Sequence, residues 1–151
     1  MNSAFAGKNI LIGISGGIAA YKAADLTSAM IKLGAGVKVV MTENATKFIH
    51  PLTLESLSGN QVYHDTFHTT DRYDIEHIAL AKWADVFIIA PATANVIGKA
   101  AGGIADDLLS TTILATDAKT IFAPAMNTVM YQKGVVQDNI KKLKALGYTF
   151  I

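Results

Sequence analysis

The chain has 151 residues and a mass of 16.0 kDa, and its 13 Lys and Arg against 12 Asp and Glu leave a formal charge of +1, too little for a nucleic-acid footprint. It has no cysteine, which excludes a disulfide, an iron–sulfur cluster, a thiolate zinc site and a cysteine nucleophile among these residues. The length suits one domain, and 51% hydrophobic with only 17% charged residues leaves apolar surface that a homo-oligomer would cover.

Lys8 followed by Asn9–Ala20 loosely imitates a signal peptide. Gly13, Gly16 and Gly17 interrupt its apolar stretch and the basic region is one lysine, so it reads as a strand and its turn, in a cytoplasmic protein. Asn9–Ile14 is that buried strand. Gly17–Leu33 reads as a helix with Leu26, Met30 and Leu33 on one face and Gly34 as its stop. Val37–Met41 is a second strand. Thr42–Ile49 and Pro51–Leu57 read as short helices, the second with proline in its first turn and Gly59 after it. Val62–Tyr63 is a short strand and His64–Tyr73 a polar loop. Ile75–Trp83 is helical and Val86–Ala90 is the clearest strand. The longest uncharged runs, such as Val86–Gly98, have 13 residues, and that one contains Pro91. A membrane span needs about 20. Ala94–Ala101 and Asp106–Ala115 read as helices and Thr120–Ala123 as a strand. Val135–Leu146 is amphipathic, with Val136, Ile140 and Leu143 inside and Lys141, Lys142 and Lys144 outside. Gly147 ends it before a last strand, Tyr148–Ile151.

Apolar strands alternating with helices imply an α/β domain: a three-layer, Rossmann-like, doubly wound parallel sheet over residues 1–151. Ligands of such sheets bind beyond the carboxyl ends of the strands, where strand order reverses. Gly13-Ile14-Ser15-Gly16-Gly17 lies there, with backbone N–H groups and a helix start suited to phosphate and Ser15 adding a hydroxyl. A merely tight turn is the alternative. Ser15 holds the place of the second glycine of a dinucleotide fingerprint, which weakens that reading. The same residues fit G-x-S-x-G, but a hydrolase elbow needs strands upstream and a later histidine, and no histidine follows His77. Pro91-Ala92-Thr93-Ala94-Asn95 offers small residues and two hydrogen-bonding side chains, or simply a helix cap at Thr93. Asn127 could cap a helix or hold a carboxylate or ring edge, and Met126 and Met130 could be core packing. His64 and His68 with Asp65 and Asp71 are spaced as a polar loop produces by chance, so no metal site is read there. His77, alone on an apolar helix, could be structural.

Taken together, Gly13–Leu26 (GISGGIAAYKAADL), Thr42–Ile49 (TENATKFI), Glu76–Ala101 (EHIALAKWADVFIIAPATANVIGKAA), Gly103–Leu109 (GIADDLL) and Ala123–Tyr131 (APAMNTVMY) resemble the homo-oligomeric flavin-containing cysteine decarboxylases. The resemblance covers nearly the whole chain and leans to the coenzyme A branch of the family. It implies FMN, its phosphate on Ser15, Gly16, Gly17 and Ile18 with help from Thr42, Asn44 and Ala45. Thr93, Ala94, Asn95 and Val96 would line the flavin, with Ala125 beside them. His77 would be the base and Asn127 the holder of the substrate carboxylate, flanked by Met126 and Met130. The implied substrate is phosphopantothenoylcysteine. Oxidation of its thiol-bearing carbon to a thioaldehyde gives the electrons left by departing CO₂ somewhere to go. Trimers, in some members assembled four to a dodecamer, would enclose the flavin between subunits, with no nucleic-acid or membrane partner. Alternatives are a peptidyl-cysteine decarboxylase, a flavin-binding regulatory protein without turnover, and an NAD enzyme with Glu43 on the ribose. Three departures stand out. Tyr131 replaces the usual Trp and Asp107 a common Asn. The family's cysteine-bearing substrate clamp has no counterpart in the 24 residues after Asn127, so these residues are expected to carry out the oxidative half of the reaction.

Overall fold

Six apolar runs form one parallel sheet in the computed structural model, which describes residues 3–64 and 76–151. The strands are β1 (Asn9–Ile14), β2 (Gly36–Met41), β3 (Val62–Tyr63), β4 (Val86–Ala92), β5 (Lys119–Pro124) and β6 (Thr149–Phe150). Their order across the sheet is β3-β2-β1-β4-β5-β6, and every pairing is parallel. This is the doubly wound order, whose direction of winding reverses between β1 and β4.

The two-residue period of a strand sends alternate side chains to opposite layers. Ile10, Ile12 and Ile14 of β1 join Val37, Val39 and Met41 of β2 on one face. That face is covered by α1 (Ala23–Lys32) and α2 (Pro51–Ser58), through Ala23 and Leu54. Leu11, Phe87, Ile89 and Phe122 face the other layer. There α3 (Glu76–Trp83), α4 (Ala94–Gly102), α5 (Leu108–Ala115) and α7 (Gly134–Ala145) contribute Leu80, Ile97, Leu109 and Ile140. The short α6 (Thr128–Gln132) packs against α7 and buries none of its own residues. Gly13 lets α5 press onto β1, because a Cβ there would lie 2.6 Å from Leu109 Cδ1. No helix among the described residues is long and apolar enough to cross a membrane.

The sheet and its covering helices match the expectation from alternating patterns; the differences are local. The segment expected to be one helix from Gly17 opens as a 3₁₀ turn, Ile18–Lys22, before α1 begins. Leu33 is exposed rather than on the apolar stripe, since it caps α1 and Gly34, at φ +87°, turns the chain away. Thr42–Ile49 contains only a 3₁₀ turn, Ala45–Lys47. α6 was not anticipated. Ile75, His68, Asp65, Asp71 and all of the expected polar loop after His64 lie outside the described residues.

Candidate active site

A cleft of about 1330 Å³ opens beyond the carboxyl ends of β1, β2, β4 and β5, at the reversal point of the sheet. Its walls include Ser15–Ala19 after β1, Met41–Asn44 at the end of β2, Thr93–Val96 at the start of α4, Asp106–Leu108 at the start of α5, and Ala125–Asn127 after β5.

The turn after β1 is built for close approach. Gly16 sits against the β2 turn so tightly that a Cβ would come within 2.5 Å of Asn44 Cβ and 3.0 Å of the Asn44 carbonyl carbon. Among the described residues, the N–H groups of Gly16 and Gly17 have no protein partner. The first N–H groups of α4, at Ala94 and Asn95, are likewise free of intrahelical bonds, as first-turn donors are. Thr93 caps that helix, its Oγ1 accepting from Val96 N at 3.4 Å. Two sets of backbone donors therefore face one cleft, and both favour an anion or a carbonyl-rich ring edge.

Ser15 is 1% exposed and its side chain is engaged on both sides. Its Oγ donates to the Pro91 carbonyl at 2.6 Å and accepts from Thr93 N at 3.0 Å. Thr42 Oγ1 accepts from Ala45 N at 3.1 Å. Asn44 Oδ1 accepts from Lys47 Nζ at 3.1 Å, which leaves its Nδ2 donors. Asn127 Oδ1 caps α6 by accepting from Val129 N at 2.9 Å, so its Nδ2 donors also remain.

Three charged side chains of the cleft form one network. Lys99 follows Asn95 by one helical turn and reaches Asp106 Oδ1 at 2.8 Å and Asp107 Oδ2 at 3.8 Å. Asp107 begins α5 with a capping box: its Oδ1 accepts from Ser110 N at 2.7 Å, and Ser110 Oγ accepts from Asp107 N at 3.1 Å. The hydrogen bond from Lys99 lowers the Asp106 carboxyl below its ordinary value, and Asp106 in turn raises Lys99.

The structure thus brings together Ser15, Gly16, Gly17, Ile18, Thr42, Asn44, Thr93, Ala94, Asn95, Val96, Ala125, Met126, Asn127 and Met130 around one space. Two expected residues are not among its lining. Ala45 is fully buried and its N–H is taken by Thr42, so it supports the β2 turn from below. His77 is half-buried in the first turn of α3 and does not line the cleft. Lys99 and Asp106 line it without having been singled out; His64, weighed only as part of a polar loop, and Asp107, noted only as a departure from a common Asn, line it too. The signal for Lys99 was its spacing of four from Asn95, which puts both on one helix face.

Residues 2–151 match the Flavoprotein family. The chain belongs to it. The coenzyme A biosynthesis bifunctional protein CoaBC of Bacillus subtilis (strain 168) is 54% identical over 144 residues, which are 95% of this chain and 36% of that protein. A Streptococcus mutans protein named probable phosphopantothenoylcysteine decarboxylase is 50% identical over 143 residues, 93% of this chain and 80% of its own length. The solved structure of the FMN-dependent cysteine decarboxylase SpaF superposes with a TM-score of 0.92 at 35% identity, covering 98% of this chain and 85% of that one. The chain therefore spans about a third of the CoaBC protein and most of the other two. A flavin suits what the cleft offers: unpaired N–H groups at Gly16 and Gly17, a glycine turn that leaves room beside them, and small lining residues, Ala94 and Ala125.

Proposed function

We propose that this chain binds FMN in the cleft and decarboxylates phosphopantothenoylcysteine. The observation that carries the reading is the convergence on one cleft of the free N–H groups after β1, the N-terminus of α4 and the Nδ2 donors of Asn127. The 54% and 50% identity to the CoaBC protein and to the Streptococcus protein named probable phosphopantothenoylcysteine decarboxylase supports the small-molecule substrate.

Gly16, Gly17 and Ile18 hold the cofactor phosphate through backbone N–H groups and the dipole of the turn. Thr42 and Asn44 form the facing wall. Thr93, Ala94, Asn95 and Val96 would line the ring, with Ala125 beside them. When bound, FMN would supply the hydride acceptor for oxidising the thiol-bearing carbon of the substrate to a thioaldehyde, the electron sink for loss of CO₂. Asn127 orients the substrate by donating Nδ2–H to its carboxylate, beside Met126 and Met130. His77 takes the thiol proton. Since His77 does not line its own cleft, a neighbouring copy supplies it, which fits a trimer with the flavin enclosed between subunits. Ile18, Tyr21, Phe48 and Leu52 are exposed apolar side chains that such an interface would cover.

The test is His77→Asn. General-base catalysis is worth roughly 10²- to 10⁴-fold, so CO₂ release should fall by that factor while flavin affinity is unchanged. Unchanged decarboxylation would remove His77 from the chemistry, and loss of flavin or of the fold would make its role structural.

A further inference from the structure

Where the β1–β4 ladder ends, a serine side chain takes its place. The paired register of β1 with β4 stops at Gly13 and Ile89, and two residues later in β4 comes Pro91, which has no N–H to donate. Its carbonyl accepts twice from the same residue across 76 positions of sequence, from Ser15 N at 3.3 Å and from Ser15 Oγ at 2.6 Å. The Oγ also accepts from the N–H of Thr93, the residue that caps α4, at 3.0 Å. The hydroxyl proton is thereby committed to protein, and the side chain is almost fully shielded from solvent.

We infer that Ser15 is a positioning residue and not a donor to the cofactor phosphate: its hydroxyl ties the turn that receives the phosphate to the start of the helix that lines the ring. The inference rests on the flavin reading of the cleft and deepens it. Donating to a phosphate instead would break the 2.6 Å bond and leave the buried Pro91 carbonyl with only the longer one. A buried acceptor left with its weaker bond offsets part of what the new contact returns. The turn already has donors for the phosphate in Gly16 and Gly17, whose N–H groups are unpaired among the described residues.

The two roles separate when FMN is compared with riboflavin, which lacks the phosphate. Apoprotein is titrated with each flavin, following quenching of flavin fluorescence, for the natural chain and for Ser15→Ala. A positioning residue holds both halves of the site, so both flavins should weaken together, by roughly tenfold, with the ratio of the two dissociation constants unchanged. Weakening of FMN alone, with riboflavin unaffected, would overturn the inference in favour of a phosphate contact. No change in either affinity, with only a lower melting temperature, would overturn it in favour of a role confined to stability. If Ser15→Ala does not fold, Ser15→Cys keeps the shape with a weak donor and carries the same comparison. Failure of the natural chain to bind either flavin would instead overturn the flavin reading, and the inference with it.

Discussion

Asn127 has one atom for capping and another free for the cleft. Capping and ligand contact stood as alternatives in the sequence, yet Oδ1 caps α6 through Val129 N while both Nδ2 donors remain for the cleft. Asn127→Asp separates them. The carboxylate still caps, so thermal stability should hold, but it faces the substrate carboxylate without a donor. Juxtaposed like charges cost several kcal/mol, so kcat/KM should fall at least about a hundredfold. Retained activity would leave Asn127 as a cap alone. Ser15 could not be read this way, because its partners lie 76 and 78 residues away and no local pattern announces them. Thr27 is the reverse case: it is fully buried in α1 and its Oγ1 has no hydrogen-bond partner among the described residues. Replacing that hydroxyl by a methyl in Thr27→Val removes an unmet polar group at nearly constant shape. The apoprotein should gain about 1 kcal/mol, roughly 3 °C in melting temperature, by calorimetry.

The elements that could be read from the sequence were those whose burial leaves a periodic trace. β1 and β4 are apolar on both faces because helices cover both, and α7 shows its stripe at Val136, Ile140 and Leu143. α6 left no periodic trace, only a possible cap at Asn127, since Thr128–Gln132 buries nothing and spans barely more than one turn. The 3₁₀ turns at Ile18–Lys22 and Ala45–Lys47 passed for α-helix because a turn or two cannot distinguish the periods. At α5 the departure of Asp107 from the family's common Asn is accounted for by the cap: either side chain presents an oxygen to Ser110 N. Asp107→Asn should therefore change stability by less than about 0.5 kcal/mol. Asp107→Ala removes the cap and a partner of Lys99 and should cost about 1–2 kcal/mol in chemical denaturation. Equal effects of the two substitutions would show that the box is not what holds the start of α5.

Across the molecule, the position of the cleft follows from topology: with order β3-β2-β1-β4-β5-β6, the reversal falls between β1 and β4, and the two glycine- and alanine-rich turns must meet there. That much was in the pattern of strands and helices. What one chain's sequence does not display is the place of His77, expected at the site yet absent from the lining of its own cleft, which the proposed trimer would fill from a neighbouring copy. On the proposed trimer, exposed Ile18, 77% accessible in the single chain, becomes part of the wall rather than surface. The account stands on this cleft joining flavin to decarboxylation. The most direct measurement is CO₂ release together with flavin absorbance when phosphopantothenoylcysteine is added anaerobically to the FMN-loaded protein. The account predicts that bleaching of the flavin bands and release of CO₂ rise together from the first turnover. FMN bound at this cleft with neither bleaching nor CO₂ on addition of substrate would contradict it.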